Sequence, residues 1–312
     1  MNPYDYANGE LQANLALKGT TQRWWHYAVD FPTAHPTHHA RANTVRGEYF
    51  QPRNTAKAPL AIVLHGMGDP SLLPARCLAR ALAKEGIACF ILYLIFHSSR
   101  LPQTMQNRLH KLSAEEWFEG YRLSVIETRQ VLDWATGRGE LDGERIALIG
   151  ISFGGFISAI TMGIDERIKA GVFITAAGNS EKISRQSRNP LMKKYYQRSE
   201  AEYREIQRQY ARYLAEVAEK GFERVTPARQ SFLTDPMTFA PYLRGRPMLM
   251  LNAAWDEYIP REAAQEFWEA CGKPAITWLP ATHGTIWLWY PLIRRKITRF
   301  LKSTFGIDSS SS

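Results

Sequence analysis

The sequence predicts an α/β fold built on one mostly parallel sheet with helices on both faces. Three observations carry this. From about Leu60 onward, short apolar runs alternate with longer amphipathic stretches, as strands alternate with helices in such folds. The short runs are continuously apolar, the mark of strands buried on both faces. The breaks between runs are made by capping residues and glycines placed where helices start and stop.

Taken in order, residues 24–31 and 44–50 alternate in polarity and predict an antiparallel edge pair. Residues 60–64 (Leu-Ala-Ile-Val-Leu) predict a buried central strand ending at His65-Gly66. A helix over 74–84 closes at Gly86, and a strand follows over 87–95. Ser113 and Glu116 are spaced as a capping box for a helix running to about Ala135, with Gly137 beyond its end. A strand over 145–149, a helix over 153–162 and a strand over 170–175 come next. The last two strands fall at 247–251 and 275–279, with helices at 261–270 and 290–302. The sheet should therefore hold about eight strands.

Between the strand at 170–175 and the strand at 247–251 the pattern breaks. Residues 181–230 hold 12 basic and 7 acidic side chains, so 12 − 7 = +5 of the chain's net +9 lies there. Tyr196, Tyr203, Ile206, Tyr210, Tyr213, Leu214 and Val217 recur at helical spacing, with Gly221 after Lys220 as a C-cap. We expect a core made of residues 1–178 and 236–312, and a helical cap over 179–235 lying above the C-terminal strand ends, where ligands bind in such sheets.

With 45% hydrophobic and 22% charged residues among 312, disordered, collagen-like and coiled-coil readings are excluded. Cys77, Cys89 and Cys271 form neither a disulfide framework nor a zinc spacing. The start Met1-Asn2-Pro3-Tyr4-Asp5 lacks the basic and apolar regions of a signal peptide, and no run approaches the ~20 apolar residues of a membrane helix. A cytoplasmic location is expected, and residues 309–312 read as a frayed tail. His35-Pro36-Thr37-His38-His39 invites a metal reading, but Pro36 interrupts helical pairing and no carboxylate or cysteine is close, so it reads as a loop and no metal is expected.

The chemistry centres on Gly150-Ile151-Ser152-Phe153-Gly154, followed by Gly155. A serine on a tight strand-to-helix turn needs neighbours without side chains, and here a predicted strand precedes it and a predicted helix follows. Its hydroxyl is a weak nucleophile without a base and an orienting carboxylate. Of eight histidines, only His283 lies after the last predicted strand, in the small-residue loop 280–285. The acid should follow the preceding strand. Asp256 comes first there, Glu257 is the alternative, and Asp235 a third. Oxyanion stabilisation needs two backbone N–H groups, assigned to Phe153 after the nucleophile and to Met67 in the loop His65-Gly66-Met67-Gly68-Asp69. This chemistry needs no cofactor.

With these motifs in order, the chain resembles the α/β-hydrolase superfamily, and within it the dienelactone-hydrolase-like and prolyl-oligopeptidase-like esterases. The resemblance covers about 24–301 and implies the α/β-hydrolase fold with a small helical cap insertion. It also implies a serine carboxylesterase acting on a small-molecule ester through an acyl-enzyme. Two departures matter. The nucleophile is serine, where dienelactone hydrolases use cysteine, and the residues before His65 are too few for the propeller of prolyl oligopeptidases.

His97, in His97-Ser98-Ser99-Arg100, reads as a substrate contact or as part of a solvated loop. Trp255, Trp287 and Trp289 flank the acid and base and read as pocket walls or as core. A peptidase on the same fold, and an anion- or nucleic-acid-binding protein using Tyr195 to Lys220, are the competing readings. Nucleic acid is not the expected partner, and the basic amphipathic cap helix leaves a homodimer contact open.

Overall fold

The computed structural model describes residues 2–7, 11–37, 39–67, 71–97, 99–101 and 112–307. Expectations resting on His38, Gly68, Asp69, Ser98, His110 and 309–312 lie outside the described residues.

Among the described residues, nine strands form one sheet: β1 (Asn14–Thr20), β2 (Trp24–Pro32), β3 (Thr44–Pro52), β4 (Ala58–Leu64), β5 (Ala88–Tyr93), β6 (Leu141–Ile151), β7 (Ile168–Ile174), β8 (Met248–Ala253) and β9 (Ala275–Leu279), in the order β1-β2-β3-β5-β4-β6-β7-β8-β9. The first three, and the join of β3 to β5, are antiparallel. Every ladder from β5 to β9 is parallel. The expected count of about eight strands is thus one short. Residues 24–31 and 44–50 do pair antiparallel, but the sheet edge belongs to β1, and β3 lies between β2 and β5. β1 is exposed or half-exposed at every position, Leu17 by 57%, so it carries no buried face for a pattern to reveal.

Helices α1 (Leu73–Lys84), α2 (Ala114–Thr136) and α3 (Phe153–Ile164) follow β4, β5 and β6. After β7 come α4 (Ser180–Gln186), α5 (Pro190–Tyr195), α6 (Glu200–Lys220) and α7 (Pro236–Leu243), then α8 (Arg261–Ala270) and α9 (Tyr290–Thr304). The capping box at α2 is present, with Ser113 accepting from the Glu116 N–H and Glu116 accepting from the Ser113 N–H.

β4 is buried at all seven positions, and its side chains divide between two cores. Leu60, Ile62 and Leu64 face the layer holding Leu123 and Val131 of α2 and Ile157 and Ile160 of α3. Ala61 and Val63 face Leu78 and Leu82 of α1 and Ile297 and Leu301 of α9.

The 179–235 segment is helical, and α6 is capped as its sequence implies: Ser199 and Glu202 form a capping box, and Gly221 stands at φ 85°. Its apolar face, Ile206, Tyr210, Tyr213 and Val217, belongs to the same core as α2 and α3; there Tyr210 and Tyr213 meet Phe232, and Phe222 meets Phe239. The two ends of the segment meet at Asp235, whose carboxylate accepts from the N–H groups of Asn179 (2.8 Å) and Ser180 (2.5 Å). Tyr4 fastens it from the other side: it is fully buried, and its hydroxyl donates to the Leu233 carbonyl at 2.6 Å.

One buried ion pair holds the connection after β5 to α2. Arg100 and Glu127 are wholly buried and meet through two 2.6 Å hydrogen bonds. Arg100 also donates to the carbonyls of Tyr93 (2.8 Å) and Ala42 (2.6 Å). The expectation that the 97–100 segment is a solvated loop or a substrate contact therefore fails at Arg100. Removing one partner of such a pair strands the other charge away from water. Glu127→Ala is expected to lower stability by about 3–5 kcal/mol in urea unfolding at neutral pH, whereas replacing both residues by Met and Leu recovers most of the loss.

Candidate active site

β6 runs directly into α3, and Ser152 sits at the junction with φ 52° and ψ −116°. Few non-glycine residues adopt this backbone. Crowding explains both the strain and the flanking glycines. A Cβ on Gly154 would lie 2.1 Å from the Leu64 carbonyl oxygen of β4, and one on Gly150 would lie 2.4 Å from the Gly154 carbonyl oxygen. The Ser152 N–H donates to the Ile174 carbonyl at 2.8 Å, pinning the turn to β7.

His283 reaches the serine from the loop after β9. Its Nε2 lies 2.9 Å from the Ser152 Oγ, and its Nδ1 lies 2.7 Å from the Asp256 Oδ2. The other carboxylate oxygen of Asp256 accepts from the N–H groups of Tyr258 and Ile259, both at 2.9 Å. A carboxylate so held accepts a hydrogen bond from Nδ1–H, which leaves Nε2 to accept from the serine hydroxyl. The Asp256 side chain is only 4% exposed, against 19% for His283. The loops carrying Asp256 and His283 are tied where they leave the sheet, by Ala254 N–H to the Leu279 carbonyl and Trp255 N–H to the Ala281 carbonyl.

Three carboxylates were candidates for the acid, and each has its own position. Asp256 meets the imidazole. Glu257 instead accepts from the backbone N–H of His283 at 3.1 Å, while its own carbonyl accepts from Ser187, Arg188 and Asn189. Asp235 caps α7 through the Met237 N–H.

The loop after β4 passes beside the serine: a Cβ on Gly66 would meet the Ser152 Cβ at 3.5 Å. Among the described residues, neither the Met67 nor the Phe153 N–H donates to a protein acceptor. Phe153 opens α3, so its N–H belongs to the unpaired first turn of that helix. His65 is buried; its Nε2 accepts the Leu94 N–H at 3.0 Å, so Nδ1 carries the proton that it gives to the Gly66 carbonyl at 2.8 Å.

The softer candidates separate. His97 is buried, its ring 5.2 Å from that of His65 and 4.4 Å from that of Tyr93. Trp255 is 59% exposed beside Asp256, whereas Trp287 leans on the core shared by α1 and α9. Trp289 donates from its indole to the Pro280 carbonyl. Sequence reasoning missed Tyr258, whose ring centroid lies 5.0 Å from the imidazole of His283. Nothing but its position next to Asp256 and Glu257 hinted at this.

A cavity of about 330 Å³ lies against Asp256, lined by Gln186, Arg188, Ile259, Pro260, Arg261 and Glu262 among others. Neither Ser152 nor His283 lines it. Among the described residues, no group of three or more histidine, cysteine or acidic side chains is placed to hold a metal, and no helix is long and apolar enough to cross a membrane.

Similarity to known proteins agrees with this architecture. The solved acetyl xylan esterase from Paenibacillus sp. R4 superposes with a TM-score of 0.68 at 18% identity, over 94% of this chain and 88% of that one. Acetyl xylan esterase 1 from Thermoanaerobacterium sp. JW/SL YS485 gives 0.63 at 15%, over 94% and 89%. A cold-adapted esterase from an Arctic intertidal metagenomic library gives 0.59 at 14%, over 96% and 100%. At these identities the likeness establishes the α/β-hydrolase fold alone. No curated protein matches the chain. The family model described as Alpha/beta hydrolase domain containing 18 matches residues 27–183, half of the chain. With that match, and with a serine elbow between β6 and α3, the chain belongs to the Alpha/beta hydrolase domain containing 18 family.

Proposed function

We propose that this α/β hydrolase is a serine carboxylesterase acting on small-molecule esters. The observation that carries the reading is the position of His283, with Nε2 2.9 Å from the Ser152 Oγ and Nδ1 2.7 Å from the Asp256 carboxylate. In this reading Ser152 attacks the ester carbonyl as His283 takes its proton. The N–H groups of Phe153 and Met67 receive the charge that develops on the carbonyl oxygen. His283 then gives the proton to the departing alcohol. It next activates a water, which releases the acid and restores the serine. Asp256 holds the imidazole in the needed tautomer and stabilises its cation. Every step uses side chains or amides of this chain, and none calls for a cofactor or metal.

The 179–235 segment serves as the cap, reaching the site through Ser187, Arg188 and Asn189 on the Glu257 carbonyl. The three unpaired cysteines suit a cytoplasmic setting. The burial of Tyr210 and Tyr213 weighs against nucleic-acid binding by α6, because rings held in the core are not offered to bases.

Two experiments test this. Hydrolysis of p-nitrophenyl esters from acetate to decanoate is expected for the wild type, with kcat falling about 10⁶-fold in Ser152→Ala. Activity surviving that substitution rules the serine out, and turnover of aminoacyl anilides in preference to esters moves the enzyme to the peptidases. Second, Asp256→Asn is expected to lower kcat about 10⁴-fold, while Glu257→Gln, which keeps an acceptor for the His283 N–H, stays within about tenfold of wild type. The reverse ranking in steady-state kinetics would assign the acid to Glu257.

A further inference from the structure

We propose that Glu48, remote from the triad, is a positioning residue for the loop that supplies the Met67 amide. The inference rests on the esterase reading for the role of that amide; the contacts themselves do not.

Glu48 stands on β3 and is 5% exposed. Four nitrogen or oxygen donors converge on its two carboxylate oxygens. His26 Nε2 lies 2.9 Å from Oε2; on Oε1, Arg76 Nε lies at 2.8 Å, Arg76 Nη2 at 2.7 Å and the Tyr93 hydroxyl at 2.6 Å. Burial would raise this carboxyl, but the hydrogen bonds from His26, Arg76 and Tyr93 outweigh it and hold the group down at about 2. The Tyr93 hydroxyl is pushed up to about 12, by burial and by its bond to Glu48. Acceptor and donor thus keep their protonation states across ordinary working pH.

Two of these donors lead to opposite ends of the same loop. Arg76, on α1, gives its remaining Nη1 to the Ser71 carbonyl at 2.8 Å, at the far end of the loop that begins with His65 and Gly66. Tyr93 leads to the near end: its ring lies 4.4 Å from His97, which in turn meets His65 edge-on at 5.2 Å. His65 is fixed between the Leu94 N–H and the Gly66 carbonyl. The Gly66 carbonyl belongs to the peptide unit whose N–H is that of Met67. One carboxylate therefore reaches the start of the loop through tilted and edge-on ring contacts and its end through a guanidinium. Oxyanion donors act through their exact placement, and a displacement of about 1 Å can cost on the order of 10²-fold in rate. Loosening either end should therefore lower kcat without altering ground-state binding.

The test compares wild type with Glu48→Gln and with the nearly isosteric Tyr93→Phe, which removes the hydroxyl's hydrogen bonds to Glu48 and Arg76 and preserves the ring contacts. Glu85→Gln, at a surface ion pair with Lys302, serves as the control. Two readouts are taken: kcat and KM on p-nitrophenyl acetate, and amide hydrogen exchange at His65, Gly66, Met67 and Ser71 against that of β7. The expected result is a kcat lower by about ten- to a hundredfold in Glu48→Gln and less in Tyr93→Phe, with KM within about twofold. Faster exchange should be confined to the loop, and the control should behave as wild type. Loop exchange unchanged in both variants overturns the proposal. So does unchanged kcat despite faster exchange, or faster exchange in β7 as well, which would mark a general loss of stability. A wild-type protein that hydrolyses no ester overturns the esterase reading instead, while the exchange measurement still decides whether Glu48 holds the loop.

Discussion

The backbone crossing at Ser152 is the constraint on which the rest of the site depends. There β6 turns into α3 so tightly that α3 touches the end of β4, leaving no room for a Cβ at Gly154. Because β4 and β6 are direct neighbours in the sheet, with Leu64 opposite Gly150, the loop after β4 has nowhere to go but past the serine side chain. The same adjacency continues through β7 and β8 to β9, so the loops after β8 and β9 arrive on the same side. Strain at one residue is sustained by a sheet that could not relax it without losing its central ladder.

Electrostatics at the site are arranged by division of labour between adjacent acids. Asp256 spends one oxygen on two backbone amides and the other on the imidazole. Glu257 spends its side chain on the backbone of the same histidine and its carbonyl on the segment before α5. The histidine is thereby held at both its ring and its main chain by neighbouring residues of one loop. A buried carboxylate with this many donors is already paired before any substrate arrives, so its charge costs little to keep in the folded protein.

How much of this was legible in the sequence depends on the range of the interaction concerned. The central strands declared themselves because burial on both faces leaves unbroken apolar runs, and α8 and β9 fall at their expected bounds. β6 starts at Leu141, four residues before the expected Arg145: Leu141 pairs with Ala58, and the polar Asp142-Gly143-Glu144 falls in the register shift before Ile146. β1 left no pattern, since both its faces meet solvent. Serine, histidine and the order of the motifs were readable because turn sterics and loop positions are local properties. Which carboxylate meets the imidazole was left among three, with Asp256 first, Glu257 beside it and Asp235 a third, and how the loop curls separates them. The tyrosine face of α6 was visible as a period, but that it closes on Phe232 was not. The contacts of Glu48 draw on β2, α1 and β5, elements whose residues are far apart in the chain, and no local signal encodes them.

The fastening of Tyr4 has a consequence for how the protein is made. Its hydroxyl finds its acceptor 229 positions later, and Phe239, which its ring meets edge-on, lies in the same late segment. During synthesis at about 5–20 residues per second, this ring waits roughly 10–50 seconds before its binding surface exists. Over that interval the nascent chain therefore exposes an aromatic side chain that the finished protein hides completely.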